Sequence, residues 1–230
     1  MALEWTERQI AMLAEMSVRV WSSPMNPGQD AGTQISDAAE PEVEAIEATE
    51  LSTWQAMEAA VRSCRACGLC GRENTTCGPQ QARTATWLVV RDMPADLTAA
   101  HGDEELLLDR MLRAVGRSRT GAGEQSAYLT TVMKCRQTAG KCPGEAEVEA
   151  CCEHLRHEVR LLRPRVILAM GRFASRALVG SQHPLGALRG QTHAFEGVPV
   201  VVTYPVAYLL RHPLEIARAW ADLCLAADVG

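Results

Sequence analysis

The chain has 230 residues, 47% of them apolar, with 23 basic and 28 acidic side chains. That length suits one α/β domain with extensions, and the composition excludes a disordered or collagen-like chain. No apolar run is long enough to span a bilayer, and the first residues lack the basic start and apolar core of a secretion signal. The charge is uneven: residues 1–50 carry a net −8 and residues 51–230 a net +3, so an acidic leader conceals a mildly basic body that tolerates nucleic acid.

Residues 3–21 read as a short amphipathic helix with Trp5, Ile10, Leu13, Val18 and Trp21 as apolar anchors, stopped by Pro24. A helix with nothing nearby to cover that face, carrying two tryptophans, has the make-up of an interface anchor, so residues 1–24 are expected to bind a partner. Residues 25–50, rich in Pro, Gly, Ala and acids, read as a flexible linker, and residues 51–230 as the folded body. Ser52 or Thr53 caps a helix running to about Arg62. "TWLVV" (86–90) reads as a buried strand, 103–116 as a helix stopped by Gly116, and 127–133 as a strand. Then come a helix over 144–164 ended by Pro164, a strand over 165–171, a helix through Leu178, a strand over 198–204 and a closing helix over 213–227. Strands alternating with helices predict a three-layer α/β fold around a largely parallel four-stranded sheet covered on both faces.

Nine cysteines without a secretion signal point to metal or cluster ligation before disulfides. Cys64, Cys67, Cys70 and Cys77 lie close together, with Cys135, Cys142, Cys151, Cys152 and Cys224 downstream. A close pair plus two distant cysteines builds a four-thiolate site that ties a helix to the sheet and to a later helix. Spacing alone leaves open zinc or an iron–sulfur cluster, and an all-local site using Cys70 and Cys77. Cys224, beside Trp220 and Leu223, reads as core. Cys70, Cys77, Cys142 and Cys152 have no assigned role.

The fragments "SCRACGLC", "LLLDRMLRAVGRSR", "AYLTTVMKCR", "RPRVILAMGRFA", "LRG" and "TY…YLLRHP…WADL" occur in one order over roughly residues 55–226. In that order they resemble the iron–sulfur uracil-DNA glycosylases. The resemblance implies a glycosylase-like α/β fold and a 4Fe–4S cluster on Cys64, Cys67, Cys135 and Cys151. It also marks where catalytic residues belong. Where the family has Gly-Glu-Ala-Pro-Gly after its first strand, this chain has Arg91-Asp92-Met93-Pro94-Ala95. Ala100 stands for the base-stacking Phe, Thr131 for the base-pairing Asn, and Pro205 with Val206 for the segment carrying the charge-stabilising His. Substitution at Asp92, Ala100, Thr131 and Pro205 predicts a non-catalytic member, with His193 and His212 as the nearest replacements.

A second resemblance is to the psi subunit of the bacterial DNA polymerase III clamp loader. It rests on the leader "EWTERQIAMLAEMSVRVWSSP", on "WLVVRDMPADL" and on "YPVAYLLRHPLEIARAWADLC". It implies a cytoplasmic bacterial replication scaffold whose leader docks on the loader's gamma/tau collar and whose body binds a chi-type subunit, with weak or indirect contact to DNA. The alternative is an active uracil-DNA glycosylase of altered specificity; a DNA-binding module without a replication partner is a third reading.

Overall fold

In the computed structural model the described residues are 53–68, 83–94, 101–121, 123–135 and 143–230. The leader with Trp5, Ile10, Leu13, Val18 and Trp21, the linker, and Ala100, Cys70, Cys77 and Cys142 lie outside them.

The first element, α1 (Trp54–Ser63), starts where Thr53 Oγ1 accepts the Ala56 amide at 3.2 Å, the N-cap that the sequence promises. Met57 and Val61, four apart, are its buried stripe. Five strands form one sheet in the order β2-β1-β3-β5-β4: β1 (Trp87–Arg91), β2 (Ala127–Thr131), β3 (Val166–Met170), β4 (Thr192–Phe195) and β5 (Val198–Thr203). β2, β1, β3 and β5 are mutually parallel, while β4 runs antiparallel to β5 at the edge.

The central strands are continuous apolar runs because both faces are covered. Leu88, Val90, Tyr128, Ile167, Ala169, Val200 and Val202 face one helical layer, α3 (Glu145–Leu162) and α4 (Arg172–Val179), with the short α5 (Leu185–Leu188) beside it. Trp87, Val89, Leu129, Val166, Leu168, Met170 and Val201 face the other, made by α2 (His101–Ala114), α6 (Val206–Arg211) and α7 (Ile216–Val229). The alternation along each strand is the period-2 geometry of β structure read twice, once into each layer.

Two departures from expectation have local causes. The sheet has five strands rather than four, because the polar segment Thr192–Phe195 pairs with β5 through a tight turn in which Glu196 and Gly197 both have positive φ, 49° and 79°. Its exposed edge position hides it from a search for apolar runs. The helix α3 stops one residue before the proline: Arg163 adopts a left-handed conformation and its amide reaches Val159 O at 2.8 Å. Among the described residues no helix is long and apolar enough to cross a membrane.

A buried ion pair fastens α3 to the end of β2. Lys134 Nζ donates to Glu158 Oε2, Thr130 Oγ1 and the Thr131 carbonyl, each at 2.8 Å, so all three ammonium hydrogens are used. Thr130 Oγ1 in turn donates to Glu158 Oε2 at 2.8 Å. The two charged side chains are only 3% and 0% exposed. Removing one partner strands a buried charge, whereas removing both replaces the pair by packing. Glu158→Ala is expected to cost about 3–5 kcal/mol in urea unfolding, and Lys134→Met/Glu158→Leu to recover most of it. Equal losses in the two variants would show that the pair does not lock these elements.

Candidate functional site

The crossover from β1 to β2 passes along one face of the sheet and that from β2 to β3 along the other, so the strand order reverses between the parallel strands β1 and β3. A crevice opens at such a point outside the carboxyl ends of the strands, where ligands bind in open α/β sheets. Here it is a pocket of about 290 Å³. Its walls come from the turn after β1 (Arg91, Asp92, Met93, Pro94), from Met170 at the end of β3, from Pro205, Val206 and Ala207 entering α6, and from Glu104 on α2. Most of this lining is apolar, and the volume lies at the low end for small-molecule sites, suited to one flat heterocycle.

Asp92 is the fixed polar group of the pocket. Its Oδ2 accepts the Arg172 amide at 3.1 Å and its Oδ1 the Ala174 amide at 2.8 Å, with the Phe173 amide also directed at it. These are the first amides of α4, whose preceding residue Gly171 has no side chain to cap them. A carboxylate from a neighbouring strand therefore does the capping, favoured by the positive end of the helix dipole. Gly171 has φ 121°, and a Cβ there would lie 2.4–2.5 Å from the Asp92 carboxyl atoms, so glycine is required on both counts. Burial pushes the Asp92 carboxyl above its ordinary range, while the three amides and the Arg172 charge pull it back. The three amides leave one of the four carboxylate lone pairs for a water or a substrate.

Arg91 does not fill the pocket with free charge. Its guanidinium reaches Glu105 Oε1 at 2.7 Å, and its buried Nε–H has no hydrogen-bond partner among the described residues. Of the four positions singled out from sequence, Asp92 and Pro205 meet at this pocket. Thr131 does not line it: its hydroxyl donates to the Met133 carbonyl at 2.7 Å. His193 and His212 do not line it either. His193 Nε2 lies 2.8 Å from Leu188 O, and His212 stacks on Tyr208 with ring centroids 4.3 Å apart. Gly171 and Glu104 escaped the sequence reading. A glycine between a strand and a helix was the available signal for the first, and nothing in the pattern marked the second.

The cysteines divide by location. Cys64 caps the end of α1, Cys67 follows it, Cys135 follows β2, and Cys151 lies in the second turn of α3. None of the four is in a disulfide. Burial pushes the Cys151 thiol up to about 11; the Lys134 amide bonded to it lowers it, and the neighbouring Cys67, Cys135 and Cys64 raise it further. The four thiols are thus near enough to feel one another's charge. Among the described residues, however, no three such ligands stand in a group that could hold a metal ion as they are, so they converge without closing on a single ion. A soft, all-thiol donor set drawn from three separate segments fits an iron–sulfur cluster, whose corners are held by different thiolates. Cys152 is turned away, with its thiol 3.5 Å from Ala177 O, and Cys224 sits on α7 in the other helical layer.

Comparison with known proteins bears on both sites. The sequence pattern of the family described as "Uracil DNA glycosylase superfamily" matches residues 97–224. The Type-4 uracil-DNA glycosylase of Pyrobaculum aerophilum is 31% identical over 116 residues, covering 47% of this chain and 59% of the relative. That of Archaeoglobus fulgidus is 30% identical over 115 residues (46% and 55%), and that of Thermotoga maritima 30% over 113 (48% and 56%). The matched part of this chain spans between half and three-fifths of the length of these curated relatives.

These relatives overturn two expectations. The first is the psi-like scaffold of a clamp loader, with the function that went with it: the relatives are named as glycosylases. The physical reason is that the body fragments taken for psi are β1 with its turn and the α6–α7 segment, structural parts of the glycosylase-like fold itself. The second is the absence of an enzyme. Counting substituted residue types ignored that the pocket survives and that its acid is buried and held by three amides. The chain belongs to the uracil DNA glycosylase superfamily.

Proposed function

We propose that this protein is a uracil-DNA glycosylase of altered specificity acting in base excision repair, with a 4Fe–4S cluster on Cys64, Cys67, Cys135 and Cys151. The observation that carries this reading is Asp92, an acid fixed on the α4 amides inside an apolar pocket at the carboxyl ends of the strands. An enzyme that breaks a glycosidic bond takes the base out of the stack and holds it in a closed pocket. As the bond lengthens, positive charge grows on the sugar and negative charge on the departing base. The Asp92 carboxylate, in a low-dielectric wall, stabilises the former or orients the attacking water. Pro205 has no side-chain donor for the latter, but the Arg91 side chain lines the same pocket and brings a positive charge to oppose it. Arg91, oriented by Glu105, is the donor we assign to the leaving base. Stacking and edge recognition differ from the family pattern at Ala100 and Thr131, which is where the altered specificity enters. The cluster, when bound, supplies a structural clamp between α1, the end of β2 and α3.

Abasic-site formation in uracil-containing oligonucleotides, read as alkali-induced strand cleavage, tests the activity. The wild type is expected to cleave, and Asp92→Asn to lose at least ~100-fold while keeping its circular dichroism spectrum. Arg91→Met is expected to lower turnover more than binding. The raised carboxyl of Asp92 sets the sign of the pH dependence: protonation abolishes its charge, so excision falls as pH drops through that raised value and holds above it. No cleavage of uracil or hypoxanthine substrates by the wild type would overturn the reading.

Protein purified without oxygen is expected to be brown, with about four iron and four sulfide per chain. Cys135→Ser or Cys151→Ser should bleach it and lower its melting temperature. Colourless protein with one zinc per chain, or a stable cluster in Cys151→Ser, would contradict the cluster assignment.

A further inference from the structure

A second cavity, of about 320 Å³, is lined by Asp109, Arg113, Arg117, Ser118, Arg119 and Thr120 and shares no residue with the base pocket. It sits near the amino ends of β1 and β2: Ser118 bridges to Ser126, and the Arg117 guanidinium lies 5.1 Å from the ring centre of Trp87, the first residue of β1. The base pocket lies at the carboxyl ends of the same sheet.

Its charges do not cancel. Arg119 makes a forked bond to Asp109, Nε to Oδ1 at 2.6 Å and NH2 to Oδ2 at 2.8 Å, and its remaining nitrogen bonds Glu105. Glu105 also holds Arg91. These four side chains, two basic and two acidic, form a closed, neutral chain, so the one carboxylate in the cavity wall is already occupied. Arg113 and Arg117 have no carboxylate partner among the described residues. Arg117 is anchored through one nitrogen to the Glu124 carbonyl. Beside these two arginines stand Ser118 and Thr120, whose hydroxyls are hydrogen-bonded to each other at 3.1 Å, which leaves one O–H of the pair to donate to a guest.

Arg113, whose charge is only partly offset by Asp109, and Arg117, beside a hydroxyl pair, match a tetrahedral dianion, because forked N–H pairs and short O–H donors suit phosphoryl oxygens. We propose that this cavity is a phosphoryl-binding site, separate from the base pocket. Its guest is a phosphate group, carried either by a free phosphorylated ligand or by the backbone of a DNA strand that wraps past the β2 edge.

The test compares the full-length wild type, Arg113→Gln and Arg113→Gln/Arg117→Gln, using inorganic phosphate in isothermal titration and a labelled single-stranded oligonucleotide without uracil in fluorescence anisotropy. Each lost charge-assisted bond is expected to weaken binding by roughly tenfold or more. Phosphate binding that weakens in the variants, with oligonucleotide binding unchanged, identifies a free phosphoryl ligand. Oligonucleotide binding that weakens, with a salt slope shallower by about 1.4 in the double variant, identifies the strand backbone. Arg113 is exposed and carries no ion pair, so Arg113→Gln retains the fold even if loss of Arg117 from above Trp87 does not. The proposal is overturned if the wild type binds neither probe, or if Arg113→Gln binds both as the wild type does.

Discussion

The contact between the Asp92 carboxylate and the first amides of α4 is the constraint around which the site is arranged. It joins the carboxyl end of β1 to the turn leaving β3, across the line where the strand order reverses. It requires glycine at 171, because any side chain would occupy the space of the carboxylate. It also settles three problems at once: the helix start is capped, the buried acid has partners, and the acid is held rigid in the pocket wall. Burial works against the charge of this carboxylate and raises its pKa, and the amides and Arg172 oppose part of that cost.

Charge is handled differently on the two sides of the sheet. In the α1–α3–α4 layer, Lys134 and Glu158 are buried together, and the same residue Lys134 offers its amide to Cys151. The ion pair and the thiols thus share a few residues at the junction of β2 and α3, where apolar packing alone would leave Cys135 and Cys151 without a defined separation. His154, one turn from Cys151 on α3, is buried and held neutral, its imidazole pushed down to about 4 mainly by burial and then by the Lys134 charge. In the other layer, the chain Arg91–Glu105–Arg119–Asp109 runs along α2 from the base pocket toward the cavity beside β2. Each member neutralises the next, and this is what leaves Arg113 and Arg117 as the surplus charge of that cavity.

The substitutions at the family's catalytic positions look different once they are placed. Asp92 still carries an acid to the crevice, and Pro205 still walls it, whereas Thr131 spends its hydroxyl on its own turn. Residue type compared position by position does not report whether a pocket persists. The pocket persists here because its walls are the ends of β1, β3 and β5, and the sheet that places them is held by burial on both faces rather than by any site residue.

The sequence by itself determined the layers. Continuous apolar runs such as Trp87–Val90 and Val166–Met170, too short for buried helices, read as doubly buried strands, the 3.6-residue stripes of α2, α3 and α7 face them, and Thr53 and Gly116 mark helix ends through local capping and backbone conformation. Through its resemblance to the glycosylases it also marked Asp92, as a substituted position, and a set of four thiols. Tertiary structure alone decided the rest. The edge strand β4 has four residues and buries only Phe195, so no periodic signal distinguishes it from a loop. The partners of Asp92 lie about eighty residues downstream and are backbone amides, which carry no residue-type signature. Likewise Arg113 and Arg117 differ from their neighbour Arg119 in which carboxylates come within ion-pair distance, and that is settled by the fold, since a charge is compensated through space and not along the chain.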